Sequence, residues 1–165
     1  MAHRVLRTFA AAGLIALAAA SPLAQAGSAQ SWNFEGGDAA GWTAERGTVA
    51  AADGRIRLQP DANRRVVLLS PAALPEPARN AAEFVIGIDG TGLQRVRIQG
   101  RRDDRGGWIT LADARGTALR ETPEGVAVKR TLMKGAAAYE RLRIEMEFRT
   151  TNPRTLARIV VNPAQ

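Results

Sequence analysis

No cysteine occurs anywhere in the 165 residues, and His3 is the single histidine. The first absence excludes a disulfide framework, thiolate metal sites and a Cys-His nucleophile. The second matters because His3 falls in a segment that reads as a removable leader. Without a thiol or an imidazole, Ser-His-Asp catalysis and structural zinc cannot be assembled from this chain. Carboxylates, Lys129 and Lys134, the lone Tyr139 and the oxygen ligands of a calcium-type site remain. Long hydrophobic runs are also missing: the stretch from Phe9 to Ala20 is roughly a dozen residues, short of the ~20 needed to cross a bilayer.

That stretch has another reading. Arg4 and Arg7 precede it, and it leads to Ala24-Gln25-Ala26, with small residues at the positions a signal peptidase requires. Residues 1–26 therefore read as a secretory signal peptide. No cysteine follows to take a lipid, so the expected address is the periplasm or the extracellular space, with no membrane insertion after removal. Taking Arg4 and Arg7 from the 23 basic side chains leaves 21 against 16 acidic ones, a net charge of +5. The charge is spread in mixed-sign pairs rather than blocks, which argues for a solvated surface and against a nucleic-acid partner.

Beyond the leader the dominant signal is a period of two. Arg141, Arg143, Glu145, Glu147 and Arg149 alternate with Leu142, Ile144, Met146 and Phe148, as a half-buried strand demands. Arg95, Arg97, Gln99 and Arg101 alternate with Val96 and Ile98 in the same way. Shorter strands are expected at Arg55 to Leu58, Val66 to Leu69, Ala82 to Ile88, Val126 to Lys129 and Ala157 to Val161. Between them lie turn signals such as Asp53-Gly54, Asp89-Gly90, Gly106-Gly107 and Asn152-Pro153. Residues 135 to 139 allow a helical turn. Many short strands without a sustained helical period specify an all-β sandwich or barrel. The expected organisation is a signal peptide at 1–26, a polar stub at 27–31 and one domain at 32–163.

One string is richer than the rest: Trp32, Phe34, Glu35, Gly36, Gly37, Asp38, Gly41 and Trp42 fall within eleven positions. It is followed by Asp53-Gly54-Arg55-Ile56-Arg57-Leu58, by Leu69-Ser70-Pro71 and by Ala82 to Ile88. This succession resembles the first half of jelly-roll modules of the galactose-binding-like class, which includes many bacterial carbohydrate-binding modules. The resemblance implies a jelly-roll β-sandwich that works by binding, in which Phe34 and Trp42 pack in the core. It also implies a structural calcium, for which Glu35 and Asp38 are the candidate ligands. The closing strand around Ile159 offers no carboxylate to complete that site, and no other cofactor is expected.

Two features could carry recognition. Trp108 follows the polar loop 100–107, where an indole is either buried against the loop or presented to the apolar face of a pyranose ring. Tyr139 is open to the same two readings, and Trp32 is ambiguous between core and platform. The row Arg95, Arg97, Gln99 and Arg101 is either a solvated strand face or a set of guanidinium forks suited to carboxylates or sulfates. Glu145 and Glu147 share a face, but they alternate with arginines, as ordinary surface charge does. The reading is an exported, non-catalytic module whose partner is a cell-envelope or extracellular polysaccharide, neutral or acidic. The alternatives are a protein-docking component of the envelope without a sugar ligand and, third, a hydrolase or lyase that uses carboxylates.

Overall fold

The computed structural model describes residues 29–72, 74–75, 81–89, 91–103, 105–130 and 139–163. The leader and all but the last residue of the expected turn at 135 to 139 lie outside them. The described chain is built from twelve strands: β1 (Gln30–Asn33), β2 (Thr43–Arg46), β3 (Thr48–Ala52), β4 (Arg55–Gln59), β5 (Arg65–Leu69), β6 (Ala81–Ile88), β7 (Leu93–Arg101), β8 (Ile109–Arg115), β9 (Arg120–Thr122), β10 (Gly125–Lys129), β11 (Arg141–Phe148) and β12 (Arg154–Pro163). A 3₁₀ turn occupies Gly116–Ala118.

The strands form two antiparallel sheets. One runs β3-β4-β12-β6-β10-β9, with β1 also pairing with β12; the other runs β2-β5-β11-β7-β8. Most neighbours are distant in sequence, so the sandwich closes through long-range pairing rather than a chain of hairpins. The hairpin from β3 to β4 is an exception that local chemistry explains. Its two-residue loop, Asp53-Gly54, has φ of 54° and 70°, the left-handed pair that matches the twist of the flanking strands.

Alternation sorts the side chains. Leu142, Ile144, Met146 and Phe148 of β11 face the other sheet and are buried, while Arg141, Arg143, Glu145 and Glu147 face outward. Phe84, Ile86 and Ile88 of β6, Ile159 and Val161 of β12, and Val96 and Ile98 of β7 complete the same core. Trp32 and Trp42 belong to it too, packed edge to face with ring centroids 5.3 Å apart. This settles Trp32, which is 8 % exposed, as a core residue rather than a platform. Gln30 and Ser31, expected in the stub, pair with Val161 and Val160 as part of β1.

Candidate functional site

The outward face of the five-stranded sheet carries most of the residues singled out from the sequence, but it divides them. Arg95 donates to Asp113 of β8 through both Nε, at 2.7 Å, and a terminal nitrogen. Arg97 reaches Asp113 at 3.3 Å and Glu145 at 3.5 Å, and Arg65 bridges to Glu145 at 3.6 Å and Glu147 at 3.9 Å. This end of the face is a lattice in which guanidinium and carboxylate groups satisfy one another. The hydrogen bond from Arg95 holds the Asp113 carboxyl down at about 2, and the same bond raises the Arg95 pKa. Arg95 and Arg97 are therefore committed within the protein and not held ready for a ligand. Glu145 and Glu147, the acids a hydrolase would need, are held in the same lattice.

The other end of the face is organised around Trp108. Asp103 turns the preceding loop: its Oδ1 accepts from the backbone N–H of Arg105 at 2.8 Å and of Gly106 at 2.5 Å. Aspartate favours such a turn because its short carboxylate reaches the backbone two residues on. The reversal brings Trp108 back over the end of β7, with the guanidinium carbon of Arg101 at 5.0 Å from the ring centroid and that of Arg143 at 5.9 Å. Arg143 is itself anchored on both sides, donating to Gln99 Oε1 at 3.1 Å and pairing with Glu45 of β2 at 2.8 Å. The indole is only partly covered, and the neighbouring Ile109 is 45 % exposed. Sequence reasoning left the adjacency of Trp108 to the arginine row open; the structure makes it a contact.

Tyr139 does not belong to this group. It is 5 % exposed and packs on the inner side of Gly100, where an added Cβ would lie 2.5 Å from the ring. Its outer side faces Arg130, 5.2 Å from the ring centroid. The close approach needs glycine at 100, and it removes Tyr139 from any surface platform. Arg143, Glu45, Arg141 and Ile109 are additions that the sequence reading missed. Arg143 was legible as an outward residue of an alternating strand, but its place opposite Gln99 depends on the pairing of β11 with β7.

Glu35 and Asp38 lie in the turn after β1. Asn33 Nδ2 donates to Glu35 at 3.4 Å, and Asp38 accepts from the Ala40 backbone N–H at 2.8 Å. Among the described residues no group of three or more acidic or histidine side chains converges as metal ligands would.

The chain matches no protein-family model and none of the curated proteins. Its likeness is to solved structures. A variant of a family 29 carbohydrate-binding module, studied for ligand recognition, superposes with a TM-score of 0.51 at 8% identity, covering 81% of this chain and 91% of that one. A family 29 module from Piromyces equi gives 0.48 at 9% identity over 82% and 91% of the two chains. A family 28 module specific for non-crystalline cellulose gives 0.38 at 12% identity over 78% and 88%. The chain has the two-sheet, jelly-roll β-sandwich fold of carbohydrate-binding modules.

Proposed function

We propose that this chain is a non-catalytic polysaccharide-binding module whose ligand lies on the outward face of the five-stranded sheet, at the corner built by Trp108, Arg101, Arg143 and Gln99. The observation that carries the reading is the partly open indole set among anchored hydrogen-bond donors. A pyranose ring offers a weakly apolar C–H face to an aromatic ring and a rim of hydroxyls to polar arms, and this corner supplies both at fixed positions. Anchoring Arg143 between Gln99 and Glu45 lowers the ordering cost of binding. The fold it shares with carbohydrate-binding modules supports the same reading. With export directed by the leader at 1–26, the partner is a polysaccharide of the cell envelope or the extracellular space. A protein-docking module calls for a contiguous apolar patch, and among the described residues Ile109 is the exposed large hydrophobic side chain.

Intrinsic fluorescence tests the proposal well, because Trp32 and Trp42 are buried and Trp108 is the tryptophan that a surface ligand can reach. Titration with a panel of soluble neutral and acidic polysaccharides should give a saturable shift for one class, absent in folded Trp108→Ala. A saturable shift that survives in Trp108→Ala would place the ligand elsewhere, and no shift across the panel would contradict the proposal.

A further inference from the structure

We infer that the ligand is a glycan chain of several rings that runs across the strands from Trp108 to Glu45 on β2, and that Glu45 accepts its hydroxyl hydrogen bonds at the far end. This rests on reading the Trp108 corner as the ligand site. One outward row crosses the whole five-stranded sheet beside that corner. The register sets Thr110 of β8 opposite Gln99, Gln99 opposite Arg143, Arg143 opposite Leu69, and Leu69 opposite Thr43 of β2. Thr110 and Thr43 are exposed, and Gln99, Arg143 and Leu69 are partly so. The adjacent row, Asp113, Arg97, Glu145, Val67 and Arg46, is chemically different. Its charged members are held by ion pairs within the protein: Arg97 with Asp113 and Glu145, and Arg46 with Asp61 at 3.7 Å. The row from Thr110 to Thr43 instead sets Arg143 among hydroxyl, amide and apolar groups.

Glu45 reaches this row because β2 is bulged. Ala44 lies opposite Leu68 and Arg46 opposite Val67, so Glu45 is the extra residue between them. A bulge of this kind re-aims a side chain, and here it lets Glu45 reach over β5 to Arg143 on β11. Arg143 donates to Glu45 Oε1 at 3.3 Å and to Gln99 Oε1 at 3.1 Å. That leaves the Gln99 amide nitrogen and the Arg143 fork as donors, and Glu45 adds a carboxylate acceptor. A sugar hydroxyl donates as well as accepts, and an ionised carboxylate has about four lone-pair sites to receive it. The Glu45 side chain is 43% exposed, so part of that capacity faces a ligand. Leu69, between Arg143 and Thr43, offers an apolar contact for ring C–H groups. At ~4.8 Å per strand, the path from β7 to β2 covers about 14 Å, a distance spanned by several linked rings and not by one.

The test uses oligosaccharides of two to six rings, prepared by partial hydrolysis of a polysaccharide that shifts the Trp108 fluorescence, with affinities read by calorimetry. The wild-type chain is compared with Glu45→Ala and with Arg46→Ala, which alters the same bulge on the side of Asp61. Wild-type affinity should rise at least tenfold from two rings to six. Glu45→Ala should weaken binding of the six-ring ligand at least fivefold and of the two-ring ligand less than twofold. Arg46→Ala should change neither by more than twofold, with both variants folded by circular dichroism. Losses in Glu45→Ala that are equal at both lengths, or absent at both, would overturn the inference, the former by confining Glu45 to holding Arg143. An equal six-ring loss in Arg46→Ala would trace the effect to the bulge itself and overturn it too, as would a wild-type affinity that does not grow beyond two rings. All of these leave the corner as the site, provided Trp108→Ala abolishes binding. Binding that survives in Trp108→Ala, or a panel without a fluorescence shift, would overturn both readings.

Discussion

The two outward faces of the sandwich follow the same alternation and are chemically unlike. On the five-stranded sheet, β7 and β11 present arginine, glutamate and glutamine at nearly every outward position. On the seven-stranded sheet one cross-strand row runs Arg120, Ala127, Val85, Val160 and Ser31, with Val85 and Ala127 buried. Arg55, Arg57 and Lys129 are exposed on that sheet, and Glu83 is spent on Arg120 at 2.6 Å and Asn162 at 3.2 Å. The side chain of Arg158 lies against Gly87, where an added Cβ would come within 2.7 Å of its Cγ. One face is thus lined by small residues and long stems. The other holds its long polar side chains in an ion-pair lattice and opens at the Trp108 corner. Stability and recognition should therefore separate by sheet.

The largest effect should come from the seven-stranded sheet. Gly125 has φ of 134°, and a Cβ there would fall 2.1 Å from the Ile86 carbonyl oxygen. Gly125→Ala should cost about 3 kcal/mol from strain and displacement, read by urea denaturation, while whatever protein stays folded keeps its affinity for ligand. Trp108→Ala should do the reverse. Loss of a central aromatic contact is worth about 2 kcal/mol of binding, roughly thirtyfold in affinity, whereas stability should change by less than about 1 kcal/mol because the ring lies outside the core. A Trp108→Ala protein that failed to fold would erase the distinction between the faces.

The lattice end makes a smaller contribution that depends on pH. The folded-state pKa of Asp113, about 2, lies below its ordinary value of 3.8. The stabilisation is therefore complete above pH ~4 and is lost as pH falls through about 2, where the unfolded chain has already taken up its proton. A third of this side chain is exposed, so solvent screening reduces the effect to about 1 kcal/mol. Asp113→Asn should be less stable than wild type by about that much at neutral pH and should show a flatter stability profile between pH 4 and 2. A profile as steep as that of wild type would assign the acid dependence to other carboxylates. The smallest effect belongs to Arg115→Gln, which breaks an exposed pair at 3.8 Å and should shift stability by no more than about 0.5 kcal/mol.

How much of this was legible in the sequence depends on the range of the interaction. The strand identities were, because period two is a local property: the alternation from Arg141 onward became β11 with every second residue buried. Phe34 and Trp42 were readable as core through the resemblance to jelly-roll modules, and both are buried. Sheet order was not, since β11 lies between β5 and β7, which are far from it in sequence. The division of the arginine row followed from that order. Arg95 and Arg97 look identical to Arg101 in the sequence, and only the neighbouring strands make them differ: Glu147 and Arg115 lie opposite Arg95, Glu145 and Asp113 opposite Arg97, and Arg141 opposite Arg101. Tyr139 stayed open between core and platform because the glycine that admits its ring, Gly100, lies on β7, far from it in sequence.

The central claim is that recognition sits at the Trp108 corner and not on the seven-stranded face. Native affinity electrophoresis in gels containing a polysaccharide that retards the wild-type chain tests this most directly, with Trp108→Ala run beside Arg158→Ala. The account predicts that Trp108→Ala migrates as it does in a gel without polysaccharide while Arg158→Ala is retarded like wild type. Retardation of Trp108→Ala together with free migration of Arg158→Ala would place the site on the opposite sheet and contradict it.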